Sequence, residues 1–139
     1  MRRTRKTHNR RGAITVEFAL CFPLLLMTFF AAFEFARANM LRQTAENAAY
    51  EGARRAIIPG ASADDAENFA KNMLAIVGTE GATVDVDPQV IEHSTPEVTV
   101  TVTVPLNENG FVAPLFLKDR EIVATTTLVR EQYEWTSTP

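Results

Sequence analysis

From Ala13 to Phe33 the chain carries 21 residues of which only Glu17 is charged at neutral pH. A run of that length and apolarity is built to cross a hydrocarbon core as a helix, which takes roughly 20 residues. Pro23 falls inside it, and a membrane helix tolerates a proline as a local kink. Six basic residues, Arg2, Arg3, Arg5, Lys6, Arg10 and Arg11, stand before the run, and residues 1–12 contain no acid. Lys and Arg flanking a span stay on the cytoplasmic side. A single-pass topology in the inner (cytoplasmic) membrane is therefore expected, with the N-terminus inside and everything after Phe33 outside. Eight basic residues against seventeen acids remain after position 12. That acidic balance argues against nucleic acid as a partner, because phosphates call for a basic surface. The basic head, which alone could mimic a nucleic-acid arm, stands directly before a span and reads as topogenic.

The rest of the 139 residues leaves room for one small domain. Residues 34–58 keep a helical pattern with a narrow apolar face: Phe35, Ala38, Leu41, Ala45, Ala48, Gly52 and Ala56 recur at spacings of three and four. Glu51 and Arg55 are spaced for an i,i+4 pair in the favourable order, and Arg42 and Glu46 in the reverse order. One continuous helix is predicted from Ala13 to about Ile57, ended by Pro59-Gly60. Its later half is rich in alanine, which favours helix and also permits close approach of another element.

Residues 59–139 should form a small α+β domain. Ser62 and Asp65 have the spacing of a capping box, Ala66, Phe69, Ala70, Met73 and Val77 line one face of a short second helix, and Gly78 closes it. From Ala82 the period switches to two. Val84 and Val86 alternate with Thr83, Asp85 and Asp87, and Val98, Val100, Val102 and Val104 alternate with threonines. A third strand is predicted over about 120–130, with its inward face left open, and the connection His93-Ser94-Thr95-Pro96 suits a hairpin. Three strands with one apolar face need a helix over them, and the later half of the long helix is available.

Catalytic chemistry finds no support. His8 and His93 lie in the basic head and in a turn, no serine has a nucleophile-elbow context, and no glycine-rich phosphate loop exists. The chain is expected not to be an enzyme and to need no cofactor. Asp85 with Asp87, and Asn107-Glu108-Asn109, offer oxygens of the kind calcium accepts, but a solvated face and a polar turn explain them as well, and no metal site is assigned. The one cysteine, Cys21, lies within the apolar run, so no intrachain disulfide can form. Leu20 before it is not the small residue a lipoprotein site wants.

Glu17 is the residue that an ordinary anchor does not explain. An unpaired carboxylate in a span costs on the order of 2.5–3.5 kcal/mol on insertion scales, although near the end of a span it can snorkel to the interface. A secretory signal, cut at Ala36-Arg37-Ala38, would have a shorter apolar core and no acid. A twin-arginine signal at Arg10-Arg11 lacks the rest of its consensus. The stretch Arg11-Gly12-Ala13-Ile14-Thr15-Val16-Glu17-Phe18, followed by a long apolar helix, resembles the class III signal of type IV pilins. More narrowly, that stretch together with Ala45-Glu46-Asn47-Ala48-Ala49-Tyr50-Glu51-Gly52-Ala53-Arg54 resembles the TadE-like minor pseudopilins of the tight-adherence (Tad) pilus.

The resemblance implies cleavage by a prepilin peptidase between Gly12 and Ala13, which leaves Glu17 fifth in the mature chain. It also implies a pilin-like α+β fold: a long N-terminal transmembrane helix packed on a small three-stranded antiparallel sheet, with a short second helix. The expected organisation is a basic cytoplasmic leader over 1–12, a span over 13–33, an extracytoplasmic helical continuation over 34–58 and the α+β domain over 59–139. Implied partners are the inner membrane, the prepilin peptidase, other pilins and pseudopilins, and the assembly platform of an adhesive pilus. Glu17 would serve subunit assembly by pairing with the new Ala13 amine of a neighbour. The alternative is a single-pass anchored extracytoplasmic binding module with an uncleaved N-terminus, its sheet, or Tyr133 and Trp135 in the tail, making the contacts.

Overall fold

The computed structural model describes residues 10–92, 94–110 and 115–130. The expectations for the leader up to Asn9, for His93 and for Tyr133 and Trp135 lie outside the described residues. The elements run α1 (Arg10–Ala56), α2 (Ala63–Ile76), β1 (Thr83–Asp87), β2 (Glu97–Pro105) and β3 (Glu121–Val129). This is the expected α+β arrangement. The long helix is already formed at Arg10, the first described residue, and continues through Pro23. The chain divides into two units, 1–33 and 34–139.

In the first unit the apolar side chains point outward all round the helix; Ile14, Phe18, Leu20 and Leu24 are each more than 60% exposed. Aromatic side chains stack one turn apart, Phe18 on Phe22 with centroids 5.1 Å apart and Phe29 on Phe33 at 6.3 Å. Thr28 Oγ1 donates back to the Leu24 carbonyl at 2.9 Å, which satisfies the hydroxyl within the helix itself.

The second unit holds the core. Its sheet has the order β1-β2-β3, antiparallel throughout, with Val84 opposite Val102 and Val86 opposite Val100 in one pair and Val98 opposite Leu128, Val102 opposite Ala124 and Val104 opposite Ile122 in the other. Period two then puts every even-numbered residue on one face. Val98, Val100, Val102 and Val104 are fully buried there, and the even positions Ile122, Ala124, Thr126 and Leu128 are the inward face of β3. On the opposite face the hydroxyls of Thr99 and Thr127 meet at 2.8 Å and those of Thr101 and Thr125 at 3.3 Å, cross-strand pairs that help fix the register.

The later part of α1 covers this sheet with Leu41, Ala45, Ala48, Ala49, Gly52, Ala53 and Ala56, all buried. Gly52 marks a close approach: a Cβ there would sit 3.3 Å from Ala70 Cβ on α2 and 3.4 Å from Val100 Cγ1 on β2. The small-residue face thus lets a helix and a strand close in together. Phe35, expected on this face, is exposed instead, because the buried stripe begins one and a half turns later at Leu41.

On α2 the capping box forms as the spacing predicts. Ser62 Oγ accepts from the Asp65 N–H at 3.1 Å, and Asp65 Oδ2 accepts from the Ser62 hydroxyl at 2.8 Å and from its N–H at 3.4 Å. Gly78, at φ 66°, closes the helix while the Thr79 N–H reaches the Leu74 carbonyl and the Gly78 N–H that of Ala75. The buried face differs from the expected one: Ala63, Ala66, Ala70 and Leu74 are inside, and Phe69 is only half-buried. Phe69 lies under the Arg55 guanidinium, 4.8 Å from ring centroid to Cζ, and Glu51 pairs with Arg54 at 3.8 Å rather than with Arg55. The other expected pair, Arg42 with Glu46, forms at 2.9 Å.

Candidate functional site

Gly12, Ala13 and Glu17 all lie on the first turns of α1, and all three are exposed. A Cβ added at Gly12 would meet nothing within 4 Å, and its backbone φ is not positive. Neither packing nor conformation therefore calls for glycine there, while a glycine in a helix interior costs roughly 1 kcal/mol relative to alanine. Ala13 and Glu17 are spaced i and i+4, so they share a helix face one turn apart. Among the described residues Glu17 makes no hydrogen bond or ion pair; its neighbours on the helix surface are apolar.

A second acid of the same helix behaves differently. Glu34, the first residue after the apolar run, accepts backbone N–H groups from three consecutive residues of the loop between β2 and β3. Leu117 N–H reaches Oε1 at 2.6 Å, Phe116 N–H reaches Oε1 at 3.1 Å, and Leu115 N–H reaches Oε2 at 3.2 Å. One carboxylate thereby satisfies three donors that a loop would otherwise leave to water, and charge-assisted bonds of this kind are the strong ones. Near it, Arg37 Nε donates to the Asn109 carbonyl at 3.1 Å.

Asn109 is buried, and its amide ties two loops together. Nδ2 donates to the carbonyls of Glu80 and Pro105 at 2.8 and 2.7 Å, and Oδ1 accepts from the Glu80 N–H at 2.8 Å. Asn107 is likewise engaged, in a reciprocal pair with Asp119. The side-chain oxygens of Asn107 and Asn109 are thus engaged within the fold, and among the described residues no group of three or more His, Cys, Asp or Glu side chains converges. Asp85 and Asp87 stand on the outer face of β1, exposed.

Residues 12–54 match the family model described as TadE-like protein. Over that segment the chain is similar to TadE-like proteins. No curated protein and no solved structure matches the chain. The matched segment begins at Gly12 and takes in Glu17, Glu34, Arg37 and the buried alanine face as far as Ala53. Its helix is long and apolar enough to cross a membrane. Sequence reasoning named Gly12, Ala13 and Glu17 as candidates, considered Asn109 only for calcium, and gave Glu34 no role. The signal available for Glu34 was its place as the first charge after Glu17, right where the apolar run stops.

Proposed function

We propose that this chain is a minor pseudopilin, a structural and assembly component of a Tad-type adhesive pilus. It sits in the inner membrane with its N-terminus in the cytoplasm. A prepilin peptidase cuts between Gly12 and Ala13, and the mature subunit then joins other pilins and pseudopilins at the assembly platform. The TadE-like match supports this reading, and the observation that carries it is Gly12 itself. This glycine stands in a helix with open space around it, at some cost in helix propensity. A requirement that the fold does not impose is explained when an enzyme must read the position.

Glu17 fits the same scheme. Cleavage creates an amino group on Ala13, and when subunits pack their apolar helices together, the carboxylate of one meets the amine of the next. Each charge alone is unfavourable in that setting, and pairing offsets part of the desolvation. The pair therefore sets the stagger between subunits. N-terminal sequencing with intact-mass measurement on protein from native membranes tests the processing step. A mature start at Ala13 is expected. An intact leader in a host with an active peptidase would overturn it in favour of a plain single-pass anchor, and a start at Asn39 would mean secretion.

A further inference from the structure

The loop held by Glu34 carries apolar side chains that the domain does not use. Leu115 is 68% exposed and Phe116 42% exposed, although both are pinned by their backbone N–H groups. The pin is Glu34, and Glu34 is covalently next to Phe33, the last residue of the apolar run. Whatever the tilt of the span, backbone atoms hydrogen-bonded to that carboxylate lie beside the point where the chain leaves the hydrocarbon. We infer that Leu115 and Phe116 insert into the headgroup–acyl boundary of the outer leaflet and form a second, non-covalent membrane contact beside the span. The inference rests on the membrane-anchored reading of residues 13–33.

Three observations fit lipid rather than another protein as the occupant. The apolar pair is pinned to Glu34, the residue that directly follows the apolar run, and apolar side chains at a bilayer boundary bury about 5–10 Å deep. Lys118 and Arg120 follow directly and are exposed, placed to meet anionic headgroups in a domain that is otherwise acidic. The carboxylate of Asp119 between them is turned to Asn107, whose Nδ2 donates to its Oδ1 at 2.9 Å. The Glu34 bonds also explain how a loop can enter this zone at all. Three N–H groups that would lose their water on approaching the acyl chains already have an acceptor.

The test uses the full chain in vesicles of phosphatidylcholine with phosphatidylglycerol, in a Cys21→Ser background, with one nitroxide label at a time. Leu24→Cys reports the span and Leu115→Cys the loop. Asn72→Cys is the aqueous reference: α2 packs on α1 at Gly52, about 27 Å along the helix from Glu34. The ratio of oxygen to nickel-chelate accessibility should be several-fold higher at Leu115 than at Asn72 and comparable in sense to Leu24. Adding Glu34→Ala should drop the Leu115 ratio toward that of Asn72 while leaving Leu24 unchanged. A Leu115 ratio equal to that of Asn72 with Leu24 still in lipid overturns the inference and leaves the anchor standing. An aqueous Leu24 overturns both. If Glu34→Ala disrupts folding, seen as lost far-ultraviolet circular dichroism, the ratios with Glu34 intact still decide.

Discussion

Asn109 shows how much a small domain without disulfides can hang on one amide. Its two donors face the carbonyls of Glu80 and Pro105, and its oxygen faces an N–H. Asn109→Asp keeps the shape but replaces the donors with a carboxylate oxygen pointed at two carbonyl oxygens in a buried site. A buried polar group turned against its surroundings costs its desolvation, about 3 kcal/mol here and more if the group stays charged. Chemical denaturation of the full chain in detergent should show that loss at neutral pH. Relative to the native chain the loss should shrink on acidification, since a protonated Asp regains one donor. An unchanged midpoint at neutral pH would mean the amide holds nothing. Asp65 titrates in a simpler way: the Ser62 hydroxyl and then the Ser62 N–H stabilise its ionised form and hold its pKa below the ordinary aspartate value. A depressed carboxylate stabilises the fold fully above its unfolded pKa and loses that contribution as pH falls through the lowered one. Asp65→Asn should therefore flatten the acid limb of the stability curve below the usual aspartate range, and an acid limb that matches the native one would refute this. Ser62→Ala should cost about 1 kcal/mol, as loss of an N-cap does, read as a lowered midpoint in the same denaturation.

At the scale of elements the packing turns on Gly52, where α1, α2 and β2 come within van der Waals reach. Gly52→Val adds a branched side chain to a space already filled by Ala70 and Val100. Overpacking of that kind costs about 1–3 kcal/mol, and a lowered thermal midpoint with unchanged helix content at low temperature is the expected readout. The same elements show what a sequence can and cannot disclose. The Ser62–Asp65 box, the Gly78 stop and the Val/Thr alternation of β2 were legible because each is a local pattern with a local cause. The inward face of β3 was not, since Val123 and Val129 are as apolar as Ile122 and Leu128; only pairing with β2 selects the even positions. Phe69 was misplaced because periodicity ranks residues by greasiness, whereas a corner filled by alanines leaves a large ring at the rim under Arg55. Glu34 joins residues more than eighty positions away, a distance over which no periodicity carries information.

For the molecule as a whole, the two units ask for different surroundings. The second closes its apolar residues into a core, while the first exposes them on every side, and a helix apolar all round is stable only in lipid or among other such helices. Glu17 belongs to the second of these settings more than to the first. Alone in a bilayer it opposes insertion by on the order of 2.5–3.5 kcal/mol; in the proposed assembly it would meet a neighbour's amine. Glu17→Ala should therefore act with opposite signs on two steps, with membrane insertion as good as or better than native and incorporation into sheared pili lost. Glu17→Asp, which keeps the charge, should restore part of the incorporation. Gly12→Leu separates the remaining step: open space at that position lets the domain fold as before, so a retained leader would reflect lost recognition by the peptidase and not a damaged subunit. Co-fractionation of each variant with pili, paired with intact mass, reads both steps at once. Normal incorporation of the Glu17→Ala chain would sink the assembly role, because a carboxylate needed for register cannot be absent from a subunit that still finds its place.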